Sequence, residues 1–253
     1  MQPGADIPTL LRANLLRIHF QPIWSLETGR PIGYEALTRG PRGTVWEAPL
    51  TLFQAAADSG SLRELECHVR NLIVNCFPFG AGLPLLFINF NPEIPCDLPG
   101  APPASHCLQC ETCPLRDAFQ QYSAQIILEL PENLMMQDLL RAGQLLDQLR
   151  SLGISIAIDD FGSKLANFDM LLRVKPDWIK LDRSLIHKVN DDPWKQSVVR
   201  QILGLEEQVG VMIIAEGVES RDELTALRHL GVRFAQGFYL GRPMPHFRIS
   251  RTL

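Results

Sequence analysis

The stretch Ile154-Ser155-Ile156-Ala157-Ile158-Asp159-Asp160-Phe161-Gly162 is a β-branched, apolar run that ends in two adjacent acids and a glycine. A run this short and this apolar reads as a strand buried on both faces, the kind found in parallel sheets covered by helices. A single acid at the end of such a strand needs no ligand, because loop and helix-cap positions favour the same residue. Two neighbouring carboxylates are different. They repel each other unless positive charge compensates them.

The same arrangement recurs along the chain. Strand candidates run over Arg17–Trp24, Pro31–Arg39, Leu83–Phe90, Gln125–Leu130, Ile154–Asp159, Trp178–Asp182, Val211–Ala215 and Arg233–Leu240. Helical stripes separate most of them, at Leu62–Phe77, Gln137–Leu152, residues 192–210 and Glu219–Leu230, which indicates a mostly parallel α/β fold. The first two strands are joined by a turn around Gly29, too short for a crossover helix, so that pair is expected to be antiparallel. The fold class expected is a TIM-like (β/α)8 barrel modified with one antiparallel strand. The chain's 253 residues suit that fold, whose usual length is about 250 residues. Residues 1–14 read as a lead-in, and 15–253 as one domain carrying a Cys- and Pro-rich insertion at about 92–118.

Composition narrows the function. A net charge of −4 argues against DNA as a partner. No apolar run reaches the length of a membrane span, and the N-terminus has no secretory-signal pattern, so the expected location is cytoplasmic. Active sites of such barrels lie at the carboxyl ends of the strands. Asn89, Glu129, Asp159, Asp160, Lys180, Glu216 and Gln236 fall at or near those ends, and Glu35 lies late in the second run. Hard divalent cations take oxygen ligands of this type, and a pair of them can clamp an in-line phosphoryl displacement. Lys180 taken alone also fits a Schiff-base lysine; the oxygen ligands around it favour a metal site. No histidine joins the set, which weighs against a zinc hydrolase.

Phe20-Gln-Pro-Ile23, Glu35-Ala-Leu37 with Arg39, Asn89, Glu129-Leu-Pro-Glu132, Asp159-Asp-Phe-Gly162, Ile179-Lys-Leu-Asp182, Ala215-Glu-Gly-Val-Glu219 and Gln236-Gly resemble, in order, the motifs of EAL-domain proteins. The resemblance implies hydrolysis of cyclic di-GMP to linear pGpG with Mg²⁺ or Mn²⁺ in bacterial second-messenger signalling. It implies Glu35, Asn89, Glu129 and Asp159 as metal ligands, with Asp160 serving a second metal. Lys180 is implied to position the water, and Glu216 and Gln236 to complete the metal and water shell. Gln21, Leu37 and Arg39 are implied to contact the dinucleotide. Asp182 and Glu219, which end their motifs, are expected on the substrate side of the site. Glu132 is implied to brace the loop after the paired aspartates. A homodimer is implied as well, and relatives often carry attached sensor or cyclase domains.

Two positions depart from the family pattern. The loop after Gly162 continues Ser163-Lys164-Leu165-Ala166-Asn167 without a second glycine, which removes backbone freedom from a segment expected to move. Pro131 stands where a hydroxyl residue is usual. A weakened enzyme is one consequence. An inactive module that binds cyclic di-GMP and signals through a protein partner is the alternative; retention of every ligand position favours the enzyme. Cys96, Cys107, Cys110 and Cys113, beside His106, lie outside the family pattern. Their spacing suits a Zn²⁺ site or an iron–sulfur cluster, a redox disulfide, or unliganded thiols. Cys67 and Cys76 read as helix packing residues.

Overall fold

The structure is a computed structural model that describes residues 6–92, 114–132, 134, 136–163 and 168–245. Cys96, Cys107, Cys110, Cys113 and the loop positions 164–167 lie outside these residues.

Eight strands close into a barrel in chain order: β1 (Arg17–Ser25), β2 (Arg30–Arg39), β3 (Leu85–Asn89), β4 (Ile126–Pro131), β5 (Ser155–Phe161), β6 (Trp178–Leu181), β7 (Met212–Ala215) and β8 (Phe234–Ala235). The helices described are α1 (Ile7–Arg12), α2 (Pro49–Asp58), α3 (Leu62–Cys76), α4 (Pro114–Tyr122), α5 (Met136–Ser151), α6 (Phe168–Val174), α7 (Arg183–Ile186), α8 (Pro193–Val209) and α9 (Arg221–Leu230). The β1–β2 hairpin is tight. Gly29 takes a left-handed φ of 64°, and its N–H donates to the Ser25 carbonyl at 2.9 Å. That turn reverses β1 alone, so β1 runs antiparallel to both β2 and β8 while the other neighbours pair parallel.

Helix ends follow their residues. Asp192 caps α8 by accepting from the N–H groups of Trp194 and Lys195, Pro193 opens it, and Gly210 closes it with φ 79°. Ser220 and Glu223 form a reciprocal capping box on α9; such caps contribute about 1 kcal/mol each. The lead-in contains α1, capped by Asp6, and its Ile7 and Leu10 are buried in the core. The last strand is far shorter than Arg233–Leu240. At Gly237 the chain lies against the Val218 backbone, where an added Cβ would sit 2.2 Å from Val218 N and O. Backbone bonds Val218 N–H to Gln236 O and Tyr239 N–H to Val218 O stitch that close approach. The α4 helix, beginning at Pro114, falls partly inside the stretch read as insertion.

The interior is layered by the two-residue alternation of strands. Ile23, Phe87, Ile127, Ala157, Trp178 and Ile214 form an apolar floor inside the barrel. Gly33 leaves room for it, since a Cβ there would lie 2.9 Å from the Phe87 ring. The next inward position on each strand belongs to Gln21, Glu35, Asn89, Glu129, Asp159, Lys180, Glu216 and Gln236. The outward positions supply the larger core between sheet and helices, including Tyr34, Leu86, Leu128, Ile156, Ile179 and Ile213.

Candidate active site

Consecutive strand residues point to opposite faces, so Asp159 and Asp160 would diverge on a regular strand. They do not. Ile158 pairs with Ile179, but the next partners are Phe161 and Leu181. Three steps on β5 therefore match two on β6, which is a β-bulge. Asp160 absorbs the extra residue in the left-handed region, at φ 54°, a conformation that aspartate tolerates better than most side chains. Carboxylate oxygens of Asp159, Asp160 and Glu216 consequently lie within 4.8 Å of one another. The Asp160 carboxyl reaches solvent at the rim, yet its pKa is pushed up to about 6, by partial burial first and by the Asp159 charge second.

Lys180 sits beneath these acids and is 1% exposed. Its Nζ lies 2.6 Å from Glu129 Oε1, 2.8 Å from Asp159 Oδ1, 2.9 Å from Glu216 Oε1 and 3.6 Å from Glu35 Oε2. Burial pulls the lysine pKa down, but Asp159, Glu129, Glu216 and Glu35 together outweigh it and drive it well up. A Schiff-base lysine needs the opposite, a neutral amine, so that alternative loses its ground. One ammonium carries three donors and cannot satisfy four carboxylates. Burial accordingly drives the Glu129 and Glu216 pKa values well up, with Lys180 offsetting only part. Glu129 Oε1 and Asp159 Oδ1 pair with Nζ, whereas Glu129 Oε2 is buried without a hydrogen-bond partner. A buried carboxylate oxygen left in this state, a hard donor, fits a divalent cation.

Amides set the remaining ligand positions. Gln236 Nε2 donates to Glu35 Oε2 at 2.6 Å, and Asn89 Nδ2 approaches Glu35 Oε1 at 3.4 Å. Gln21 faces Glu35 across the β1–β2 register and donates to the Gly241 carbonyl. These residues, with Leu37, Asp182, Arg183, Glu219 and Phe238, line a cleft of about 460 Å³. Asp182 caps α7 through Ser184 N–H, and Glu219 pairs with Arg183. Arg39 shares the inward face of β2 with Glu35 and Leu37 but is not among the residues lining the cleft; its Nη1 donates to the Thr38 carbonyl at 2.8 Å. Arg183 was not among the sequence candidates, although it adjoins the Lys180-Leu-Asp182 motif.

Glu132 is where the loop begins. Its Oε2 accepts from Gly162 N–H at 3.2 Å, and from Ser163 N–H and Oγ at 3.3 Å each. One carboxylate thus ties the segment after the bulge to the end of β4. Glu132→Ala is expected to weaken divalent-cation binding by about 10- to 100-fold, the range for groups that orient metal ligands, while metal-free thermal stability falls by only a few degrees. A Mn²⁺ titration beside a melting curve checks this; unchanged affinity in the variant removes the bracing role.

An α/β barrel with carboxylates gathered around one buried lysine at the carboxyl ends of its strands is the class that fold and site define. The chain belongs to the EAL domain family, whose pattern it matches over residues 5–243. It is 29% identical over 249 residues to the probable cyclic di-GMP phosphodiesterase PdeN of Escherichia coli K12, covering 97% of this chain and 46% of that protein. It thus spans less than half of that relative. Among solved structures it resembles the PaMucR phosphodiesterase in complex with c-di-GMP, at 26% identity and a TM-score of 0.72, covering 95% of this chain and 96% of that one. It also resembles Klebsiella pneumoniae BlrP1 in a calcium/cy-diGMP complex, at 25% identity and a TM-score of 0.71, covering 96% of this chain and 58% of that one.

Proposed function

We propose that this chain hydrolyses cyclic di-GMP to linear pGpG and depends on two divalent cations, Mg²⁺ or Mn²⁺. The observation that carries the reading is Lys180 set among Glu35, Glu129, Asp159 and Glu216 in a layer that opens to a cleft. With Asp160 included, five carboxylates face one ammonium, and two divalent cations would carry the four charges left over. Glu35, Asn89, Glu129 and Asp159 would hold the first cation, and Asp160 with Glu216 would reach the second. When bound, such a pair lowers the pKa of a shared water and draws charge from phosphate oxygens.

The chain's own residues do the rest. Lys180 keeps its proton among the carboxylates, and once cations take up those carboxylates its ammonium would be free to donate to the attacking water. Gln236 and Asn89 fix both oxygens of Glu35. Glu132 holds the bulge that aims both aspartates. Beside the cleft, an apolar cavity of about 650 Å³ shares Leu37, Asn89 and Asp160 with it and is walled by Leu50, Phe53 and Phe90; such walls suit a purine base. A homodimer belongs to the same reading. Phe168 with Leu172 on α6, and Trp194 with Val198 on α8, are exposed apolar pairs one turn apart that a second copy would cover.

Purified protein incubated with cyclic di-GMP and Mn²⁺ is expected to release pGpG, and chelation is expected to stop it. Chromatography of the products decides the matter. Binding without pGpG would replace the hydrolase with the sensor module.

A further inference from the structure

We propose that Arg183 holds the second phosphodiester of the dinucleotide, the one that is not cleaved, and so makes the site prefer a dinucleotide to a single phosphodiester. This rests on the function proposed above and adds a residue to it.

A cyclic dinucleotide carries two negative phosphates. Cations can take one of them; the other enters a cleft whose lining carries six acidic side chains. Among the described residues lining that cleft, the cationic side chains are Lys180 and Arg183. Lys180 lies at the base of the opening with four carboxylates around it. Arg39 is folded onto the Thr38 carbonyl. Of the cleft-lining cations that leaves Arg183; Arg242, outside the lining, stacks on the ring of Phe238 at 4.5 Å.

Its position is built, not incidental. The stem is pressed against Gly217, where an added Cβ would lie 2.5 Å from Arg183 Cγ and 2.6 Å from its Cβ. The head is locked by Glu219, with Nε to Oε1 at 3.1 Å and Nη2 to Oε2 at 2.7 Å. Glu219 is fixed in turn, because Glu223 Oε2 accepts from its N–H at 2.8 Å, and Glu223 Oε1 accepts from Lys188 N–H at 2.9 Å. The pair is about half exposed, with side-chain values of 52% and 39%. Ion pairs this exposed contribute little stability, so the lock makes more sense as preorganisation. Glu219 uses two of the guanidinium's five donors, which leaves donors in fork geometry for a phosphate.

The test compares wild type, Arg183→Ala, Arg183→Lys and Glu219→Gln on cyclic di-GMP and on bis(p-nitrophenyl) phosphate, both with Mn²⁺. For cyclic di-GMP, Arg183→Ala is expected to raise KM by about 10-fold or more, the scale of a lost charged hydrogen bond, with kcat changed less than about 2-fold. The penalty on the single phosphodiester should be at least about 5-fold smaller, and Arg183→Lys and Glu219→Gln should fall between wild type and alanine. Equal penalties on both substrates, or Glu219→Gln matching Arg183→Ala, would assign the pair a purely structural part and overturn the proposal. Calorimetric binding of cyclic di-GMP with Ca²⁺ separates this from the function itself. If wild type binds but releases no pGpG, hydrolysis fails while the ratio of dissociation constants still judges Arg183. If wild type does not bind, both fall.

Discussion

Lys180→Met is expected to cost the metal-free protein about 3–5 kcal/mol, the penalty for leaving buried charge without its partner. The lysine is 1% exposed, and the Glu129 side chain beside it is 0% exposed. Methionine keeps the volume and removes the only positive charge in that layer among the described residues. Glu129 and Glu216, already driven toward their protonated forms by burial, then lose the attraction that opposes it. For a chain of this size each kcal/mol moves the melting temperature by about 2–4 °C, so melting in EDTA reads the effect directly. Divalent cations should narrow the gap, because they supply the charge that the lysine withdrew and stabilise the fold they bind. Turnover should stay about 10²- to 10³-fold below wild type even with saturating Mn²⁺, the usual loss when one preorganised donor is removed. A variant that melts with wild type in EDTA would show that the layer is not held by charge balance.

The same layering explains what the sequence made legible. From β3 onward, short apolar runs followed by a polar residue mark the strand ends, because floor and ligand layer are two residues apart on each strand. Trp178 and Lys180, or Ile127 and Glu129, are such steps. The reversed β1 was legible from the shortness of its turn. Other features were hidden because they depend on backbone from elsewhere. Nothing local ends β8 at Ala235; the Val218 backbone does, by closing on Gly237. The short apolar α1 reads as a lead-in until Leu10 is found in the core. Arg39 lies in a motif and Arg183 beside one, yet their side-chain directions come from Thr38 O and Glu219. Proximity to a motif cannot supply that.

The bulge at Asp160 yields the second large effect, and it separates two roles in one residue. Asp160 gives the site a carboxylate, and it gives β5 a left-handed residue at φ 54°. Asparagine keeps the conformational tolerance and loses the charge. Asp160→Asn is therefore expected to lower turnover by about 10²- to 10³-fold and leave melting within a few degrees of wild type. Asp160→Gly should do the same, since glycine takes positive φ without strain. Asp160→Val should lose turnover and, in addition, about 1–3 kcal/mol of stability, because a β-branched side chain is strained in that region. If the bulge yields instead, Asp159 rotates away from Lys180, and the valine variant should bind Mn²⁺ more weakly than the asparagine variant. Kinetics, melting and Mn²⁺ titration on the three proteins resolve the two roles. Equal stability for valine and asparagine would mean that β5 has no need of a left-handed residue. Near wild-type turnover in Asp160→Asn would mean that the second carboxylate of the pair, although aimed into the site, takes no part in the chemistry.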